Sequence, residues 1–81
     1  PLSTWEQTAV LTAALAGSLD SVPVKRMKDA QKSLLKELFD TYKVEMITIN
    51  SGDKVSDAKT KIITETAEKI AKTYKEQKSD V

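Results

Sequence analysis

The sequence contains neither cysteine nor histidine among its 81 residues. Without cysteine there is no disulfide framework, no thiolate nucleophile and no zinc–thiolate site. Without histidine the chain lacks the usual general base and the commonest metal ligand. Its two glycines, Gly17 and Gly52, lie far apart and form no glycine-rich phosphate loop. Because the carboxylates are also scattered among lysines, we expect no catalytic, cofactor-binding or metal-binding residue in this chain.

Long apolar runs are missing as well, so no membrane span is predicted. Thirteen basic and twelve acidic side chains give a net charge of +1, and this near-balance argues against nucleic acid as a partner. With 40% hydrophobic and 31% charged residues, the composition is that of a small globular domain of marginal stability. We expect residues 1–81 to form a single helical domain, and the start at Pro1 rather than Met indicates that the chain is processed or is a piece of something larger.

Charge is unevenly distributed along the chain. Residues 1–24 carry only Glu6 and Asp20, whereas the rest mixes both signs. A segment so poor in charge is usually buried, so we expect residues 1–24 to be covered by their own domain, by a partner, or by both.

Apolar residues recur at spacings of three and four in two segments, which indicates amphipathic helices. The first stripe comprises Met27, Ala30, Leu34, Leu35, Leu38, Phe39 and Tyr42. The second stripe comprises Ala58, Ile62, Ile63, Thr66, Ala67, Ile70 and Tyr74. Upstream of both, Ser3-Thr4-Trp5-Glu6 fits a capping box before an Ala-rich helix that is apolar around most of its circumference, as expected of a central helix. Gly17 and Pro23 predict the end of this helix and a turn.

The segment Val44–Ile49 alternates like a strand. No second strand candidate exists to pair with it, so we interpret it as a short helical continuation. Asn50-Ser51-Gly52-Asp53 has the composition of a turn, and Ser56 is a candidate N-cap. The predicted fold is therefore all-α, a small bundle of three to four helices at about 4–16, 24–42, 44–49 and 56–76.

Two residues have competing interpretations. Gly17-Ser18-Leu19-Asp20 is similar to the attachment site of acyl carrier proteins, but the basic surroundings of Ser18 favour an ordinary residue in a helix-terminating turn. Trp5 is a candidate stacking platform or partner anchor, although a tryptophan in the first turn of an apolar helix more often closes a core.

The order of features along the chain resembles the tail of the alpha subunit of F-type ATP synthases. The residues that carry this resemblance are Pro1-Leu2-Ser3, Glu6-Gln7, Gly17 with Leu19-Asp20, Val22-Pro23-Val24, Leu34-Leu35 with Leu38, Ile49-Asn50, and Gly52-Asp53-Lys54-Val55-Ser56-Asp57. The chain departs from the family pattern at several positions. In particular, Ser18 stands where the family has an aromatic residue.

The resemblance implies the helical C-terminal domain of a larger nucleotide-binding subunit, with Glu6, Gln7, Gly17, Leu19, Asp20, Pro23 and Gly52 as structural positions. It implies ATP or ADP and Mg²⁺ for the parent subunit but none in this segment. The implied partners are beta subunits, the central-shaft subunit and the upstream part of the same subunit. The implied location is peripheral to the membrane, on the cytoplasmic face in a bacterium or the matrix or stromal face in an organelle. An independent helical module that binds another protein is the alternative.

Overall fold

A computed structural model describes residues 3–50 and 55–78, and all regular elements in these two ranges are helical. The elements are α1 (Thr4–Leu15), a 3₁₀ turn (Val24–Arg26), α2 (Met27–Thr41), α3 (Lys43–Asn50) and α4 (Asp57–Lys78). The prediction of an all-α fold is confirmed.

The boundaries of α2 and α3 follow from local backbone chemistry. Pro23 is extended, with ψ 143°, and its carbonyl accepts a 2.8 Å hydrogen bond from the Arg26 N–H, so the predicted second helix opens with a 3₁₀ turn. Helix α2 ends at Thr41. The next residue, Tyr42, has φ −127° and ψ 39°, which interrupts the helical path before α3 begins. The predicted turn at 50–53 starts too early, because Asn50 is the last residue of α3, and the rest of that turn lies outside the described residues.

Both ends of α1 are set by short-range hydrogen bonds. At the start, the Glu6 carboxylate accepts from the Ser3 backbone N–H at 3.0 Å and from the Ser3 hydroxyl at 2.9 Å. At the end, the Gly17 N–H donates to the Ala14 carbonyl and the Ser18 N–H donates to the Ala13 carbonyl, at 3.1 and 3.0 Å. These two bonds form a Schellman motif, and Gly17 supplies its left-handed residue with φ +72°.

The core lies between all four helices. Its fully buried larger side chains are Leu34 and Leu38 of α2, Met46 of α3 and Ile63 of α4. On α1 the buried residues are Trp5 and two alanines at helical spacing, and alanine's small side chain lets a neighbouring helix approach closely. In the turn after α1, Leu19 and Val22 complete this core.

Helix α1 contacts all three other helices, as expected of a central helix, but its apolar circumference is covered on one side only. Ala9 and Ala13 are fully buried, but Leu11 is 58% exposed and Leu15 is 79% exposed on the opposite side of the helix. Helix α1 packs against α2, α3 and α4 with one face only. Helix α1 therefore has more apolar surface than the rest of the described chain covers.

Polar contacts tie α4 to its neighbours. The hydroxyls of Ser33 in α2 and Tyr74 in α4 lie 2.8 Å apart. Nearer the start of α4, the Lys59 ammonium donates to the Thr48 hydroxyl of α3. The predicted N-cap of α4 is present as well, since the Ser56 hydroxyl accepts from the Lys59 N–H at 3.2 Å.

Candidate interaction surfaces

The first three positions that the family resemblance names as structural lie at the two ends of α1. Glu6 caps α1, and the Gln7 N–H donates to the Ser3 carbonyl in the first turn of that helix. Gly17 terminates α1, and its N–H and carbonyl both take part in turn hydrogen bonds. These residues therefore define where α1 begins and ends.

The remaining motif positions shape the turn between α1 and α2. Leu19 is buried in the core, whereas Asp20 is exposed and donates its backbone N–H to the Gly17 carbonyl at 3.2 Å. Pro23 is half-buried and precedes the 3₁₀ turn. Gly52 lies outside the described residues.

Ser18 is buried, with 8% of its surface exposed, and its hydroxyl has no hydrogen-bond partner in the described part of the chain. Covalent attachment of a prosthetic arm requires an accessible hydroxyl, so this burial argues against the interpretation as a carrier protein. Ser18 occupies the residue after the left-handed position of the Schellman motif, where an apolar side chain commonly packs back onto the helix. No local pattern in the sequence indicated that this hydroxyl would be buried.

Four exposed aliphatic side chains, which we call the aliphatic surface, lie on two helices that pack together. Leu11 and Leu15 are one helical turn apart on α1, and Val44 and Ile47 are three residues apart on α3. Their exposed fractions are 58%, 79%, 73% and 44% in chain order. Single exposed aliphatic residues are ordinary, whereas aliphatic residues exposed together on one helix face are candidates for contact with another protein.

An open groove of about 400 Å³, which we call the aromatic groove, lies between α1 and α2. It is lined by Trp5, Glu6, Lys32, Leu35, Lys36 and Phe39. The rings of Trp5 and Phe39 stack with centroids 6.1 Å apart and planes inclined by 20°. Trp5 is 6% exposed and closes the core as predicted, whereas Phe39 is 42% exposed and offers its surface to the groove.

The described ranges were also compared with the requirements of a metal-ligand cluster and of a membrane-spanning helix. No group of three or more acidic side chains converges there to hold a metal. No helix in the same ranges is long and apolar enough to cross a bilayer.

Three features indicate a known class of small helical domain. They are the all-helical fold, the end of the apolar helix α1 at Gly17, and the order of the motif residues along the chain. The chain belongs to the family described as the C-terminal domain of the ATP synthase alpha/beta chain, which matches residues 1–70. Within that family it is similar to the ATP synthase subunit alpha of Salinibacter ruber (strain DSM 13855 / M31), with 30% identity over 76 residues. The resemblance to the C-terminal domain of an ATP synthase alpha chain is thereby confirmed.

The match with the curated relative covers the two proteins unequally. It includes 94% of this chain but 14% of the relative, so the chain spans a small part of that relative's length. No solved structure matches the chain.

Proposed function

We propose that this chain is a structural C-terminal segment of the alpha subunit in the catalytic head of an F-type ATP synthase. In that role it supports rotary ATP synthesis and hydrolysis coupled to proton transport without performing the chemistry. The observation that carries the proposal is the family match over residues 1–70. ATP or ADP and Mg²⁺ would bind to other parts of the parent subunit.

The partners in this proposal are beta subunits, the central-shaft subunit and the upstream part of the same subunit. The assembly would be peripheral to the membrane, on its cytoplasmic face in a bacterium or its matrix or stromal face in an organelle. We assign the aliphatic surface to these protein contacts. Full burial of a leucine side chain contributes about 1.5–3 kcal/mol to the free energy of association. Leu15 is 79% exposed, so a partner can still bury most of it.

The assembly can be tested on the full polypeptide that carries these residues. We expect an affinity tag on it to isolate a stoichiometric complex with nucleotide-binding polypeptides, and this complex should hydrolyse ATP when Mg²⁺ is present. Intact mass spectrometry should find a parent chain several times heavier than the 8.9 kDa of residues 1–81. An isolated species of about that small mass, without nucleotide-binding partners, would refute the proposal.

A second measurement tests the aliphatic surface itself. Leu15→Glu places a charge where we expect a protein contact, so the full-length variant should fail to enter the complex. Lys61→Glu is the matched control, because Lys61 is exposed on α4 and its charge reversal should leave assembly unchanged. Normal assembly of Leu15→Glu would remove Leu15 from the contact surface.

The alternative function is an independent helical module that binds another protein and has no enzymatic role. The exposure of Leu11 and Leu15 favours it as much as it favours the first proposal, because any protein partner could cover them. The intact mass distinguishes the two proposals.

A further inference from the structure

The exposed side of α1 carries no charge. Glu6 is the only charged residue of this helix, and its carboxylate accepts the two hydrogen bonds from Ser3 at the capping box. The exposed side of α2 is different, because most of its residues are charged, as is usual for a helix face in water. We call the exposed residues of α1 the uncharged face, and they are Thr4, Gln7, Leu11, Ala14 and Leu15.

The uncharged face has the composition of a surface that stays covered. Charged side chains are depleted at the centres of protein interfaces, and permanent interfaces are more hydrophobic than those that form and dissociate. Ala14 is one helical turn from Leu11 and next to Leu15, and its small side chain allows a neighbouring backbone to approach closely. The face runs along the 12 residues of α1, which is roughly 18 Å, so one helix of similar length is enough to cover it.

The source of that helix follows from the proposed function, on which this inference rests. The matched family is a C-terminal domain, and the match covers 14% of the curated relative, so most of a parent subunit of that kind would precede α1. Because α1 is the first helix of the domain, the preceding residues are joined to the uncharged face at its Ser3 end. A tethered segment meets its contact surface at an effective concentration of order millimolar, which favours it over a separate polypeptide.

We propose that a helix from the preceding part of the same polypeptide covers the uncharged face of α1. Its aliphatic side chains pack beside Leu11 and Leu15, and its backbone comes closest at Ala14. The contact is intramolecular, so it forms within the subunit before the subunit meets its neighbours. The competing occupants are a beta subunit, the central-shaft subunit and a second copy of this chain.

Thiol labelling of the full polypeptide tests the proposal, because residues 1–81 contain no cysteine of their own. Single cysteines are introduced by Leu15→Cys, by Ala14→Cys and, as an exposed control on α4, by Lys61→Cys. Each variant is alkylated in the assembled complex and again as the isolated full polypeptide, and mass spectrometry of its peptides follows the rate at the introduced thiol. Ala14→Cys changes the size of the side chain least, so it reports on the same face if Leu15→Cys prevents folding.

We expect Leu15→Cys and Ala14→Cys to react at least about tenfold more slowly than Lys61→Cys in both preparations. Protection that persists after the subunits are separated comes from the same polypeptide, when native mass spectrometry finds that polypeptide to be a monomer. In urea the three thiols should react at the same rate, because unfolding removes any cover.

Three results would overturn the proposal. The first is protection in the complex that is lost in the isolated polypeptide, which would assign the uncharged face to a neighbouring subunit. The second is rapid labelling in both preparations, which would leave the face open to solvent. The third is protection in an isolated polypeptide that is dimeric, which would assign the face to a second copy.

The labelling rates are independent of ATP hydrolysis, so this inference and the proposed function can fail separately. A full polypeptide with protected thiols that neither hydrolyses ATP nor binds nucleotide-binding polypeptides would refute the proposed function alone. An active complex with unprotected thiols at Ala14→Cys and Leu15→Cys would refute this inference alone.

Discussion

Replacement of Gly17 by alanine should destabilise the domain through the backbone of a single residue. Gly17 has φ +72°, a left-handed conformation that costs an L-residue about 1–2 kcal/mol. Alanine also restricts the unfolded chain, which returns about 0.4–1 kcal/mol to the folded state. The net loss in the free energy of unfolding should therefore be about 1 kcal/mol, or a fall of about 4–8 °C in Tm for a domain of this size.

The structure also allows a contribution from crowding. A Cβ added at Gly17 would lie 3.0 Å from Asp20 Oδ2, which is the end of a flexible and exposed side chain. Because that carboxylate can rotate away, we expect Asp20→Ala to change the cost of Gly17→Ala by only a few tenths of a kcal/mol. Gly17→Asn should cost less than Gly17→Ala, since asparagine tolerates the left-handed conformation better.

Urea unfolding of residues 1–81, of Gly17→Ala, Gly17→Asn and Asp20→Ala, and of the double variant Gly17→Ala/Asp20→Ala, followed by far-ultraviolet circular dichroism, measures these differences. Sucrose can be added to all samples alike if the transition is shallow, because excluded osmolytes favour the compact state. A Gly17→Ala variant as stable as the parent would refute the strain argument. If Asp20→Ala removed the whole cost, crowding rather than backbone conformation would be its cause.

Three further substitutions test other contacts by the same unfolding assay. Ser18→Ala removes a buried hydroxyl without a partner and should raise the free energy of unfolding by about 1 kcal/mol; a loss of stability would show that the hydroxyl is satisfied. Glu6→Ala removes the acceptor of both Ser3 hydrogen bonds and should lower stability by about 1 kcal/mol, with Glu6→Gln less affected. Leu34→Ala opens a cavity at a fully buried position and should cost about 2–5 kcal/mol, whereas a cost below about 1 kcal/mol would contradict its place in the core.

Local sequence signals predicted the helix ends most successfully. The capping box at Ser3 and Glu6, the stop at Gly17 and the N-cap at Ser56 depend on hydrogen bonds between residues three to five positions apart. Such bonds can be inferred from residue types and their spacing, because they need no information about the rest of the fold.

Burial was harder to predict than helix ends. The Ala-rich pattern of α1 predicted a central helix, but Leu15 on this helix is exposed. An apolar pattern alone does not distinguish a face that packs in the core from an apolar face that the domain leaves uncovered. Phe39 belongs to a correctly predicted apolar stripe but lies at its edge, 42% exposed. The aromatic groove could not be predicted because it requires Trp5 and Phe39, which are distant in sequence, to stack across two helices.

The hydrogen-bonded ends of α1 have a mechanical consequence. Its 12 residues make a rod roughly 18 Å long, with a capping box at one end and a Schellman motif at the other. Neither terminus can lengthen or unwind by one residue without breaking its own end bonds. The end bonds therefore fix the length of α1, and the turn that follows it places the side chain of Leu19 in the core. In this way α1 sets a constant separation between Ser3 and the buried turn at Leu19.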